Sequence, residues 1–157
     1  MSELAKLSEV REIMHKIEEE DFERFDCIYE DVMKGDLYFE LEDIVGLCKI
    51  FNDEFTDINP HQYIKVHRMT FKTIERYGFN IGFEKFINGL YEIIDSAEEQ
   101  VEDYLNMLLS YDMQVISLFS EQFHKCDGEF QNRIKEILEE LECNLPVKYK
   151  DKINIIK

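Results

Sequence analysis

Apolar residues recur at three- and four-residue intervals along nearly the whole chain, and only two prolines and six glycines punctuate them. That spacing gives each segment one apolar stripe, the period of an amphipathic helix and not of a strand. The fold class it predicts is all-α. Leu4, Leu7, Val10, Met14 and Ile17 mark a first helix from about Glu3 to Glu18. Phe22, Phe25, Ile28, Tyr29, Val32 and Met33 make a second, which Gly35 can close. A third runs from about Tyr38 to Phe51. Asn59 and Pro60 supply an N-cap and a first-turn proline for a fourth, which carries Ile64, His67, Phe71, Ile74 and Tyr77 and ends at Gly78. A fifth spans about Phe83 to Ile94, loosened by Gly82 and Gly89. Ser96-Ala-Glu-Glu99 has the form of a capping box and opens a sixth through Val101, Leu105, Leu108 and Leu109. Val115, Leu118, Phe119 and Phe123 make a seventh, ended by Asp127-Gly128; Ile134, Ile137, Leu138 and Leu141 make an eighth that stops before Pro146.

About eight helices joined by short turns pack as successive antiparallel hairpins. Pairs of about 35 to 45 residues suit a HEAT-like helical stack, each pair burying its apolar face against the next; a compact bundle is the alternative. The chain, 1–157, reads as a single helical domain, long enough to bury about two thirds of its unfolded surface. Residues 146–157 form a basic tail, where Lys148, Lys150, Lys152 and Lys157 face only Asp151. Such a tail suits an end cap or a fold-back onto acidic surface. The run Ile153–Ile156 is too short to count as a strand.

The rest of the chain is acidic, with 35 Asp and Glu against 18 Lys and Arg and a formal net charge of −17. From Phe86 to His124 there is no Lys or Arg, while Glu92, Asp95, Glu98, Glu99, Glu102, Asp103, Asp112 and Glu121 fall inside that window. Between Gly35 and Ile64, Lys49 alone faces Asp36, Glu40, Glu42, Asp43, Asp53, Glu54 and Asp57. A surface of this kind repels nucleic acid and attracts basic partners. A hydrophobic fraction of 45% argues for a folded chain in spite of the charge. With no signal-like N-terminus and no apolar run of about 20 residues, the expected location is cytoplasmic, away from any membrane.

The motifs point away from an enzyme. Glu-x-x-His occurs twice, at Glu12/His15 and Glu121/His124, the spacing that lets one helix face hold a metal in di-iron bundles. Both histidines sit near expected helix ends, where surface or capping roles are the simpler reading, so no metal or other cofactor is expected. No P-loop, Gly-x-Ser-x-Gly or Gly-x-Gly-x-x-Gly is present. Cys27, Cys48, Cys126 and Cys143 are far apart and read as free core thiols, three of them in or beside apolar stripes. His67, on the apolar side of its helix, reads as a buried, hydrogen-bonded histidine. Tyr91, Tyr104 and Tyr111 stand among the acids, as suits a surface that clamps Lys and Arg, although each also fits the edge of the core.

Two segments resemble a known family. Glu42-Asp-Ile-Val-Gly-Leu-Cys-Lys-Ile-Phe-Asn-Asp-Glu54 and Val66-His-Arg-Met-Thr-Phe-Lys-Thr-Ile-Glu-Arg-Tyr-Gly78 are similar to the immunity protein 30 family of bacterial polymorphic-toxin systems, which function in contact-dependent inhibition. The pattern couples a helix ending in Leu-Cys-x-x-Phe-x-Asp to one closing in Thr-Ile-Glu-x-aromatic-Gly. It continues loosely through Leu90, Ala97, Glu98, Leu105 and Leu108, and departs near Gln100-Val101, where the family often carries tryptophan and this chain has none. The resemblance implies a cytosolic antidote that binds and blocks a cognate toxin, often a nuclease with a basic cleft. Glu92, Asp95, Glu98, Glu99, Glu102, Asp103 and Tyr104 are the expected partner-binding residues, with Glu40, Asp43, Asp53 and Glu54 as a second set. The alternatives are a metal-binding helical bundle built on the Glu-x-x-His pairs and a general helical interaction scaffold.

Overall fold

Helices in the computed structural model, which describes residues 3–14, 19–52 and 61–157, pack chiefly on neighbours one or two places along the chain. They are α1 (Leu7–Met14), α2 (Glu19–Lys34), α3 (Asp43–Lys49), α4 (His61–Tyr77), α5 (Phe79–Ile93), α6 (Glu98–Leu108), α7 (Met113–Phe123), α8 (Gly128–Asn144) and α9 (Lys150–Ile156). Helix α3 touches α5, α5 touches α7 and α7 touches α9, forming one row; α2, α4, α6 and α8 follow one another in a second. The predominantly helical class is as expected, and the two rows are the arrangement of a helical stack.

Several expectations about boundaries change. Glu3–Leu4 is not helical: it forms β1, paired in parallel with β2 (Leu37–Tyr38) after α2, which ties the N-terminal segment to the α2–α3 turn. The supposed capping box does not form. Ala97 is the N-cap of α6 without a side-chain bond, and the Ser96 hydroxyl instead donates to Asn52 Oδ1. Asp127 does not end α7; its carboxylate caps α8 by accepting the Phe130 amide at 2.9 Å, as Asp112 caps α7 through Val115 at 3.0 Å. Ile153–Ile156 belongs to α9. The expected end of the first helix and the Asn59-Pro60 cap lie outside the described residues.

The basic tail does both things its composition suggested. Ile153 and Ile156 are buried against the stack, while Lys157 pairs with Glu139 at 3.5 Å and Glu142 at 3.6 Å on α8. Lys152 donates to the Leu109 carbonyl at 2.9 Å, satisfying an acceptor at the end of α6.

Helix α5 sits at the centre and meets α3, α4, α6 and α7. Its buried Phe83 and Phe86 join Phe119 of α7 and Tyr104 of α6, with ring centroids 5.4 Å apart for Phe83–Phe119 and 5.3 Å for Phe86–Tyr104. Each such buried side chain contributes about 1.5–3 kcal/mol through the water it sheds. The glycines of α5 are packing positions. A Cβ on Gly89 would lie 2.6 Å from Cys48 Sγ of α3, and one on Gly82 would lie 2.7 Å from Ile74 Cγ2 of α4. Both neighbours are held in the core and cannot swing away.

Gly89→Ala should therefore destabilise the chain even though alanine favours helix. Overpacking outweighs the propensity gain, for a net loss of about 1–2 kcal/mol, measurable by urea denaturation.

Candidate functional site

Helix α6 is built with two faces. Val101, Tyr104, Leu105 and Leu108 recur at three- and four-residue spacing and are buried. Glu98, Glu99, Glu102 and Asp103 fall on the other side, with Glu98 and Glu99 in the first turn, where the helix dipole favours negative charge. Second-neighbour packing then places α8 beside α6.

That packing divides the expected partner-binding residues. Arg133 of α8 pairs with Asp95 and, at 3.4 Å, with Glu98, and donates to the Ile94 carbonyl at 3.0 Å. The base-free window is thus partly neutralised from outside, and Asp95 and Glu98 serve the α5–α8 junction. Glu99 is exposed, Glu102 half-buried and Asp103 exposed; none of them is in an ion pair among the described residues. Partial burial and the negative charge of Asp103, Glu140, Glu99 and Glu98 together raise the Glu102 carboxyl above its ordinary value. Burial and Glu99 do the same to Asp103. Four carboxylates of α6 and one of α8 therefore form a patch in which like charge is felt and only Glu98 has a base.

Tyr104 is a correction. It is fully buried, its hydroxyl 2.8 Å from Thr70 Oγ1 and its ring 4.3 Å from that of His67, so it meets no partner at the surface. Its place on the Val101–Leu108 stripe accounts for this. Burial pushes its phenol well above the ordinary range and the neighbouring Cys48 thiol up to about 12. Tyr111 is half-buried and donates to Glu75 at 2.9 Å, whereas Tyr91 is 57% exposed, beside Phe130.

Of the remaining candidates, Glu92 is exposed on α5 and its carbonyl accepts from Asn52 at 3.1 Å. Glu40 is exposed in the turn before α3; Asp43, half-buried, accepts the Glu40 amide at 2.9 Å and so shapes that turn. None of these three is among the carboxylates that shift Glu102. Asp53 and Glu54 lie outside the described residues. Glu140 was missed because α8 mixes signs along the sequence; the Glu139-Glu140 doublet and the two-row packing together are the signal that finds it.

No metal site emerges among the described residues: no group of three His, Cys, Asp or Glu could hold an ion. His124 is the exposed C-cap of α7, and His15 lies outside the described residues. Cys27 and Cys143 are exposed, contrary to a core role, and all four thiols are free. His67 is buried as expected, and Gln100, whose Oε1 has no other partner, stands as its hydrogen-bonding neighbour. Desolvation lowers its imidazole to about 4, so it is neutral at pH 7, and the adjacent Gln100 offsets only part of that shift.

No helix among the described residues is long and apolar enough to cross a membrane. No family model, curated protein or solved structure matches this chain.

Because the folded carboxyl of Glu102 sits above its unfolded value, its ionisation weakens the fold, and stability falls as pH rises through that raised value. Glu102→Gln should stabilise the chain at pH 7 and low salt by about 0.5 kcal/mol, in line with other largely solvated charges. The gain should fade as pH falls through the raised value to the ordinary carboxyl value of about 4.5, and also in about 1 M salt, both readable from thermal melts.

Proposed function

We propose that this chain is an immunity protein that binds and neutralises a cognate toxin domain with a basic surface, a nuclease in the favoured case, and that the α6–α8 carboxylate patch is its contact face. The observation that supports this reading most directly is the cluster of Glu98, Glu99, Glu102 and Asp103 with Glu140, of which only Glu98 has a basic partner and in which burial first, and then the neighbouring carboxylates, raise Glu102. A patch that pays this repulsion in the free chain is relieved when a basic partner covers it. The formal charge of −17 adds long-range attraction for such a partner and repels nucleic acid directly. The resemblance of the Glu42–Glu54 and Val66–Gly78 segments to the immunity protein 30 family supports the same role by different residues. The chain performs no chemistry in this reading: it occupies or shields the toxin's cleft.

The test is co-expression with the product of the adjacent upstream gene. Rescue of growth and a co-purifying complex are expected; unrelieved toxicity without a complex would contradict the proposal. The Glu99→Lys, Glu102→Lys, Asp103→Lys triple variant leaves the Arg133 pairs intact and should slow association at least about tenfold at low salt. Unchanged association would remove this face from the interface.

A further inference from the structure

A cleft of about 530 Å³ opens where the α7–α8 turn meets α5. Helix α5 lays Glu84, Asn88 and Tyr91 along it at three- and four-residue spacing, so that all three share one helix face. Buried Ile87 and Phe130 form the floor, and the Tyr91 ring stands against Phe130 with centroids 5.5 Å apart. No other Phe or Tyr among the described residues is exposed. The cleft therefore offers the one open aromatic face of this surface.

The polar lining favours a cation with several donors. Glu84 is exposed and in no ion pair among the described residues. Asp127 uses Oδ1 to cap α8 at the Phe130 amide, which leaves its second oxygen for a ligand. Asn88 and Gln122 add side-chain amide oxygens. Lys125, the one base of the lining, follows the C-cap of α7, where the negative end of the helix favours positive charge. Carbonyl and carboxylate acceptors beside an open ring match a guanidinium, which is planar, carries five donors and stacks on aromatic faces; a compact ammonium uses the ring and the acceptors less fully. The cleft also borders the charged surface already described. Phe130 lies one turn before Arg133 on α8, and Arg133 is tied to Asp95 and Glu98.

We propose that this cleft receives an arginine side chain of a basic protein partner, the guanidinium stacking on Tyr91 and donating to Glu84 while its methylenes lie over Ile87. The identity of the partner rests on the toxin-binding reading; the chemistry of the cleft does not. The two surfaces divide the work of binding. Exposed carboxylates of the α6–α8 patch speed encounter, whereas an arginine seated on an aromatic floor slows release, as Tyr and Arg contacts do at the centre of interfaces.

The isotope-labelled chain should be titrated in about 0.15 M salt with acetyl-Gly-Arg-Gly-amide, and with the same peptide carrying citrulline or lysine in place of arginine. Resonances of Ile87, Asn88 and Tyr91 are expected to shift, the uncharged citrulline peptide binding about fivefold or more weakly and the lysine peptide also more weakly than the arginine one. Tyr91→Leu, which keeps the apolar bulk, and Glu84→Gln should each weaken the arginine peptide by about threefold or more. Both positions are exposed, and melting curves check each variant's fold. If Tyr91→Leu does not fold, Glu84→Gln decides alone. Equal affinity for the three peptides, affinity unchanged by the substitutions, or shifts confined to Glu99, Glu102 and Asp103 would overturn the proposal. The titration needs no toxin, so its outcome is separate from that of co-expression. A chain that rescues growth but ignores the arginine peptide loses this pocket alone, and one that binds the peptide but rescues nothing loses the toxin reading alone.

Discussion

The close approach of α5 to α3 at Gly89 and Cys48 is the contact on which the rest of the molecule depends. Helix α5 touches α3, α4, α6 and α7, so its position sets the spacing of both rows at once. Only a residue without a side chain lets the backbone of α5 come this near the buried thiol, and Gly82 repeats the arrangement against Ile74 of α4. Phe83 and Phe86 then fill the space between rows, meeting Phe119 and Tyr104. The glycines that weaken α5 as an isolated helix are what allow it to be a central one.

From this packing follows the electrostatics. With α5 fixed, α6 presents its carboxylates outward, and second-neighbour stacking brings α8 alongside. Helix α8 contributes opposite things at its two ends. Arg133 neutralises Asp95 and Glu98 and fastens the end of α5, whereas Glu140 adds to the repulsion felt by Glu102. The linear charge pattern thus separates into acids that hold the structure together and acids that the structure leaves exposed to one another. Away from the patch, Lys157 binds Glu139 and Glu142, so the basic tail relieves charge elsewhere on α8.

The helices were readable from the sequence because each carries a stripe of apolar residues with a period close to 3.6, and that stripe is what packing demands. The same stripe already contained the fate of Tyr104, whose place three residues after Val101 puts it inside although acids surround it in sequence. Capping was less legible. Ser96 and Glu99 have the spacing of a box, but Asn52, remote in sequence, claims the serine hydroxyl. The parallel pairing of Glu3–Leu4 with Leu37–Tyr38 is two residues long on each side, too short for any periodic signal. Charge pairing was least legible of all, because Arg133 lies beyond the base-free window and only tertiary packing brings it to Asp95.

The central claim is that uncompensated carboxylates on α6 and α8 guide this chain to a basic protein partner. The most direct measurement is the association rate of the unmodified chain with the protein encoded by the adjacent upstream gene across a series of salt concentrations. Electrostatic guidance should make that rate fall by about tenfold or more between about 0.02 and 0.5 M salt, with the dissociation rate changing far less. An association rate that stays flat across the series would contradict it.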